Sequence, residues 1–279
     1  MSIVVVGSTS LISRALQERP ETAGWHFIGH RQALDEDAWP DKVRVVLNLA
    51  YNPALRNGYD PALDFELALA RRVEHLPDVH YIMASSRMVY GPADSDGRLH
   101  EERVLNPVNP YGVGKALTEN ALSQLLGPRL TIVRLSNIFG YELDDSRRNF
   151  FAMVLRSLFI SQRIVFDMSP FVERDFLPVE VLARWLVRVI EAPVPGIFNL
   201  GAGFGTPTGR IAQWLLEGFG GGELLINDMR EVDAFWLDMQ AAERAFGITG
   251  AKPNWLKTHC HVLGARLRQE HRLLKEKRG

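Results

Sequence analysis

A single cysteine, Cys260, leaves this 279-residue chain nothing to form an internal disulfide with. That suits a reducing compartment such as the cytoplasm. Charge of one sign is also missing. The 32 Lys and Arg residues balance 33 Asp and Glu, a net charge of −1, so no global basic field calls for nucleic acid or an anionic membrane. Long apolar runs are absent: nothing approaches the roughly 20 residues of a membrane span. The first run, residues 3–6, stops at Gly7, too early for a signal-peptide core. Internal repeats and low-complexity tracts are missing as well, and no metal site is expected. What remains is an ordinary globular composition, 46% hydrophobic, with length enough for one large domain or two intimate ones.

Short apolar runs alternate with helical patterns through the first half. Residues 3–6, 25–29, 43–49, 79–84 and 130–135 read as strands, and 11–19, 61–76 and 111–126 as helices. In the second helix Leu63, Leu67 and Ala70 fall on one face. This alternation predicts βαβ units and a doubly wound, Rossmann-type α/β fold with a parallel sheet covered on both faces. Only about a dozen residues separate the second strand from the third, close to the minimum for a crossover that includes its helix, so that helix is expected to be truncated or missing. Beyond Gly140 the pattern loosens. Residues 149–162 and 179–190 read as helices, 196–200 as a strand able to rejoin the sheet, and the triplet Gly220-Gly221-Gly222 as a turn. The charged tail, 263–279, reads as a solvated helix. The expected organisation is a dinucleotide-binding part, 1–140 with 178–203 returning to it, and a smaller, discontinuous C-terminal substrate part, 141–177 and 204–279.

Three segments carry chemistry. Val5-Val6-Gly7-Ser8-Thr9-Ser10-Leu11-Ile12-Ser13 sits where the first strand turns into a helix, the place where a dinucleotide's pyrophosphate rests on free backbone N–H groups. Of the usual three glycines only Gly7 is present; Ser10 and Ser13 hold the other positions, and a plain strand–helix turn is the rival reading. Gly29-His30-Arg31 ends the second strand. A carboxylate there suits a ribose 2′-hydroxyl, whereas Arg31 suits a 2′-phosphate. The third segment joins Ser85-Ser86-Arg87-Met88-Val89-Tyr90-Gly91 to Asn109-Pro110-Tyr111-Gly112-Val113-Gly114-Lys115. Tyr111 and Lys115, four apart, share a helix face. A free phenol ionises near pH 10. A neighbouring ammonium brings it toward the working range, and a serine hydroxyl can polarise the carbonyl that takes the proton.

On these segments the chain resembles the extended short-chain dehydrogenase/reductases, the NAD(P)-dependent nucleotide-sugar epimerase/dehydratase group. The likeness runs in order through residues 7–16, Leu47-Asn48-Leu49-Ala50, the two catalytic segments, Arg134-Leu135-Ser136-Asn137-Ile138-Phe139-Gly140, Arg174-Asp175-Phe176-Leu177-Pro178-Val179, Phe198-Asn199-Leu200-Gly201 and residues 238–247. The resemblance implies Ser86, Tyr111 and Lys115 as catalytic residues. It implies cofactor contacts at Gly7, Ser10, Leu11, Ile12, His30, Arg31, Leu49, Ala50 and Lys115, and substrate contacts at Ser86, Arg87, Asn137 and Arg174. The rival for Arg174 is an ion pair with Asp175 or Glu180. Dehydratases of the group carry an acidic pair after the catalytic hydroxyl; here Arg87 and Met88 stand there, against elimination. The asparagine common after the third strand corresponds to Ala68.

The implied function is reduction of a keto group on a nucleotide-linked sugar with NADP, favoured by Arg31, or NAD. The alternatives are an epimerase that keeps NAD bound and, in another class, a dinucleotide sensor without turnover. A homodimer is expected through the helices at 61–76 and 111–126, with surplus apolar residues such as Leu69 and Leu122 covered by the partner.

Overall fold

The computed structural model describes residues 2–35, 38–143 and 150–276. Its first part is built as the alternation predicts. Strand β1 (Ser2–Val6) leads to α1 (Leu11–Gln17) and β2 (His26–Ile28). Then come β3 (Val43–Asn48), α2 (Phe65–Glu74), β4 (His80–Ser86), the short β5 (Arg98–Leu99), α3 (Pro110–Leu126) and β6 (Leu130–Leu135). After β7 (Asn137–Phe139) follow α4 (Phe150–Ser161), β8 (Arg163–Phe166), β9 (Glu173–Arg174) and β10 (Phe176–Pro178). Helix α5 (Val179–Glu191) returns the chain to β11 (Gly196–Leu200). The remainder is β12 (Thr206–Pro207), α6 (Thr208–Phe219), β13 (Glu223–Ile226), β14 (Trp236–Leu237), α7 (Gln240–Phe246) and α8 (Pro253–Glu276).

Six strands form the central sheet in the order β11-β6-β4-β3-β1-β2, and every neighbouring pair is parallel. Side chains alternate across it. Val5 and Leu47 pack with Leu16, Leu182 and Leu186 of α1 and α5 on one face. Val4, Val6 and Val46 pack with Leu67, Leu69, Leu122 and Leu126 of α2 and α3 on the other. Both faces are therefore dry, which is why the strands read as continuous apolar runs. The described residues between β2 and β3 contain turns and no α-helix, as the short spacing predicts. β2 and β3 lie on opposite sides of β1, so the winding reverses between β1 and β3. A crevice opens there at the carboxyl ends of the strands, where ligands of such sheets bind.

The helix expected at 61–76 is broken. Residues Pro61–Leu63 form one 3-10 turn, and Asp64 leaves the helical conformation to cap α2, its carboxylate accepting from the N–H groups of Glu66 and Leu67. Leu63 is consequently exposed and does not share the buried face of Leu67 and Ala70. Leu69 and Leu122 are fully buried within the single chain, so neither is the surplus apolar residue expected of a dimer face. On α3 that place is taken by Val113 and Leu117, exposed and one turn apart.

A separate apolar cluster joins α4, α6 and α8 to Phe166 and Phe176. Helices α6 and α8 cross on bare backbone: a Cβ at Gly218 would come 2.3 Å from the His261 carbonyl oxygen, and one at Gly264 would come 2.3 Å from that of Leu215. The tail helix thus begins ten residues earlier than its charge pattern suggests, and Leu256, Cys260, Leu263 and Leu267 bury one face. Asn149, Lys277, Arg278 and Gly279, placed in helices by the sequence pattern, lie outside the described residues. No helix among the described residues is long and apolar enough to cross a membrane.

Candidate active site

Strand β4 ends at Ser86, whose Oγ accepts from the Met88 N–H and opens a single 3-10 turn over Arg87–Val89. Helix α3 is capped by Asn109, which accepts from the Gly112 N–H, and it carries Pro110 at its first position. The two meet because Gly112 has no side chain: a Cβ there would lie 2.4 Å from the Met88 carbonyl oxygen. That contact brings the start of α3, and Tyr111 with it, to the strand end that carries Ser86. The Tyr111 ring stands edge-on to Tyr51 at 5.2 Å.

Lys115, one turn further, is buried. Its Nζ donates to the Ala84 carbonyl at 2.9 Å and lies 3.5 Å from Glu66 Oε2 on α2. Burial works against the ammonium, yet Glu66, Tyr111 and Asp64 outweigh it and hold Lys115 above the ordinary lysine range. Glu66 is itself buried and accepts from the Tyr81 hydroxyl at 2.7 Å. Burial raises its carboxyl, with Lys115 pulling the other way. By the family resemblance, Ala68 holds the position where an asparagine is common on this helix. Ala68 is exposed, and Glu66, two residues earlier, is the side chain that faces the lysine. The capping signal at Asp64 could have found it: starting the helix there turns Glu66 inward with Leu67 and Ala70.

At the crevice, Gly7 has φ +93° and a Cβ on it would meet the Ala50 N–H nitrogen at 2.9 Å, so the turn after β1 crosses the end of β3 on bare backbone. Leu49 donates to the Val6 carbonyl, and Asn48 folds back on both backbone groups of Ala50. Ser10 caps α1, its Oγ accepting from the Ser13 N–H, so the side chain turns toward the helix and its own hydroxyl proton stays available to an anion. Ser13 is buried, small enough for the close strand–helix packing its position needs. Leu11 and Ile12, the first helical residues, hold N–H groups the helix does not use. His30 and Arg31 are exposed past the end of β2. This donor set at the reversal point fits a dinucleotide.

The other wall is cationic. Arg87 ion-pairs with Asp233 and stacks over Phe235 at 3.9 Å, and its Nε–H has no hydrogen-bond partner among the described residues. Arg174 donates to the Asp233 carbonyl at 3.3 Å. Burial, then the charge of Arg87, both act against the Arg174 cation. Both guanidinium groups thus sit against Asp233, Arg87 on its carboxylate and Arg174 on its backbone carbonyl, so the pair carries more positive than negative charge and leaves room for an anion. Neither Asp175 nor Glu180 pairs with Arg174. Asp175 is fully buried and accepts from the N–H groups of Ala202, Gly203 and Leu237, while burial lifts its carboxyl to about 6. Asn137 lies alongside, its Nδ2 donating to the Asp175 carbonyl at 2.9 Å. Arg134, by contrast, is an internal residue: its guanidinium pairs with buried Glu119 at 2.6 Å. Asp233 and Glu119 gave no sequence signal, because each is defined by a partner far along the chain.

Residues 3–201 match the NAD dependent epimerase/dehydratase family. Among relatives in sequence, GDP-6-deoxy-D-mannose reductase of Pseudomonas aeruginosa is 26% identical over 228 residues, 72% of this chain and 74% of that one. Among solved structures, RMD from Pseudomonas aeruginosa complexed with NADPH superposes with a TM-score of 0.80 at 19% identity, covering 96% of this chain and 98% of that one. UDP-glucuronic acid 4-epimerase from Bacillus cereus, in complex with UDP-glucuronic acid and NAD, gives 0.77 at 17% identity, over 96% and 99%. With its parallel sheet, its glycine turn at the reversal point and its tyrosine–lysine pair, the chain belongs to the NAD dependent epimerase/dehydratase family.

Proposed function

We propose that this protein is an NAD(P)-dependent oxidoreductase that reduces a keto group on a nucleotide-linked sugar. The observation that carries the reading is the buried Lys115 one turn below Tyr111, on a helix drawn against the strand end of Ser86. The dinucleotide, when bound, supplies the hydride. Tyr111 gives its proton to the oxygen of the reacting carbonyl, and Ser86 donates a hydrogen bond to the same oxygen as charge develops there. Lys115 serves the tyrosine and the nicotinamide ribose. Gly7, Ser10, Leu11, Ile12, Leu49 and Ala50 line the dinucleotide's place, and Arg87, Asn137 and Arg174 hold the substrate's phosphates, for which the planar fork of arginine is apt. The six-stranded sheet, residues 1–140 and 178–203, forms the dinucleotide part, and the remainder forms the substrate part, with α7 packed on the sheet.

An epimerase is the second reading, and both a reductase and an epimerase stand among the similar proteins. The sensor reading is weakened by the presence of all three catalytic groups. Denaturing the purified protein and weighing the released small molecules separates them. A stoichiometric NAD that does not exchange identifies the epimerase; an exchangeable dinucleotide, consumed when a nucleotide-linked keto-sugar is added, supports the reductase.

His30 and Arg31 stand just past the end of β2, where a carboxylate would favour NAD, which supports a preference for NADP. Replacing Arg31 by Ala should weaken NADPH binding at least tenfold while NADH binding changes little, as titration of each dinucleotide will read. Equal losses for both would mean that Arg31 does not meet the 2′-phosphate. A homodimer through α2 and α3 is the proposed assembly, with Val113 and Leu117 on the paired face. Light scattering should return twice the 31.5 kDa chain mass, and a monomer at high concentration would exclude it.

A further inference from the structure

The catalytic lysine has a buried counter-ion on a neighbouring helix. Glu66 and Lys115 are both buried, their charged atoms lie 3.5 Å apart, and the space between α2 and α3 beside them is a cavity of about 10 Å³, room for about one water. In such a dry place a unit charge is felt strongly by its neighbours. Tyr111 is among those neighbours: it sits one turn before Lys115 on α3, and the Tyr51 ring lies 5.2 Å from its ring and 5.5 Å from the ammonium.

We propose that Glu66 is a positioning residue whose negative charge offsets Lys115 and so keeps the Tyr111–Lys115 pair in its doubly protonated, proton-donating form. The proposal rests on Tyr111 being the acid of the reaction. It adds a direction: a site that must deliver a proton gains from a carboxylate that resists loss of the pair's first proton. A site that must first accept one would be hindered.

The surroundings leave Glu66 as the carboxylate in direct contact with the lysine. From β4, Tyr81 donates to Glu66 Oε1, and from β3 Asn48 also bonds to it. Asp64, at the cap of α2, accepts from Thr118 at 2.5 Å and from Tyr59 at 3.1 Å, and it adds to the field on Lys115 without a hydrogen bond or ion pair to the ammonium. Tyr51 lies near both Tyr111 and Lys115, 5.5 Å from the ammonium, and is raised above the ordinary phenol range by burial and then by Tyr111, so it competes poorly for the same role. Arg56 and Arg71 act at longer range, on Tyr51 and Tyr59 respectively.

The sign follows from charge alone. With Glu66 ionised, the pair gives up its first proton from a site of zero net charge. With the glutamate neutralised, the same proton leaves a site of net charge +1, and it leaves at lower pH whichever member releases it. Replacing Glu66 by Gln keeps the shape and an acceptor for the Tyr81 hydroxyl, so it removes charge and little else.

The experiment is kcat/KM against pH for wild type, Glu66→Gln and Glu66→Asp, with thermal unfolding of each. In parallel, tyrosinate absorbance of the dinucleotide-free proteins is followed against a Tyr111→Phe background, a readout that needs no turnover. The alkaline limb of the glutamine variant should move down by about one pH unit or more, the scale of a nearby charge. Its tyrosinate signal should move the same way, while Glu66→Asp stays within a few tenths of wild type. A limb and an absorbance that stay in place in Glu66→Gln overturn the role of Glu66. Near-normal turnover in Tyr111→Phe would instead overturn the reading on which it rests, so the two failures are distinguishable.

Discussion

Replacing Tyr111 by Phe should lower turnover by roughly two to four orders of magnitude, the scale of a positioned acid–base group, while the fold and dinucleotide affinity persist. The phenylalanine keeps the ring and its edge-on contact with Tyr51 at 5.2 Å. It also keeps the approach of Gly112 to the Met88 carbonyl, so packing at the start of α3 is untouched. What goes is the hydroxyl proposed to deliver the proton. Ser86→Ala should cost less. It removes one hydrogen bond to the developing alkoxide and the cap of the Arg87–Val89 turn, but leaves the donor in place. Steady-state kinetics on a nucleotide-linked keto-sugar, together with dinucleotide titration, read both effects. Near-normal turnover in the phenylalanine variant would place the proton elsewhere.

Lys115→Met should fail in three ways at once. Turnover and dinucleotide affinity should fall together, since in the proposed site one ammonium serves both the tyrosine and the ribose. Stability falls too, because Glu66 is left buried without its cation. Breaking a buried pair from one side costs about 3–5 kcal/mol where the remaining charge cannot escape. Here it can: burial already lifts the Glu66 carboxyl, and without Lys115 it rises further. A carboxyl raised in the folded state binds its proton more tightly there than in the unfolded chain. The variant is therefore least impaired at acid pH and loses stability as pH rises through the raised value. Adding Glu66→Gln to Lys115→Met should restore most of the lost stability and none of the turnover. Thermal unfolding and kinetics on the two single variants and the double variant measure this, and additive stability losses would show that the two residues do not interact.

The parts of this molecule that depend on local pattern could be read from the chain, and the parts that depend on distant partners could not. Val4, Val5 and Val6 announce a strand buried on both faces, and the faces they take follow from period two. Tyr111 and Lys115 announce a shared helix face from their spacing alone. That the described residues between β2 and β3 hold no α-helix follows from counting residues. Glu66 was passed over because a glutamate inside a helical pattern reads as solvated; the cap at Asp64 marks its inward face, but what it meets there, Tyr81 and Lys115, is set by β4 and α3. Leu69 and Leu122 read as surplus apolar residues, but each helix buries a broader stripe than its periodicity implied. The early start of α8 was hidden because its contact with α6 is made by Gly218 and Gly264, which carry no hydropathy signal. In the cationic wall, Arg174 stood out by its segment, while its relation to Arg87 and Asp233 spans 59 residues or more of chain and needed the fold.

The central claim is net reduction of a sugar carbonyl, and isotope transfer tests it most directly. The protein is mixed with NADPH deuterated at the transferred position and a nucleotide-linked keto-sugar, and the product is examined by mass spectrometry and NMR. One deuterium on the new carbinol carbon, with one NADPH consumed per product, is the expected result. Conversion of a nucleotide-linked hydroxy-sugar to its epimer with no NADPH consumed, or no transfer to any nucleotide-linked keto-sugar, would contradict it.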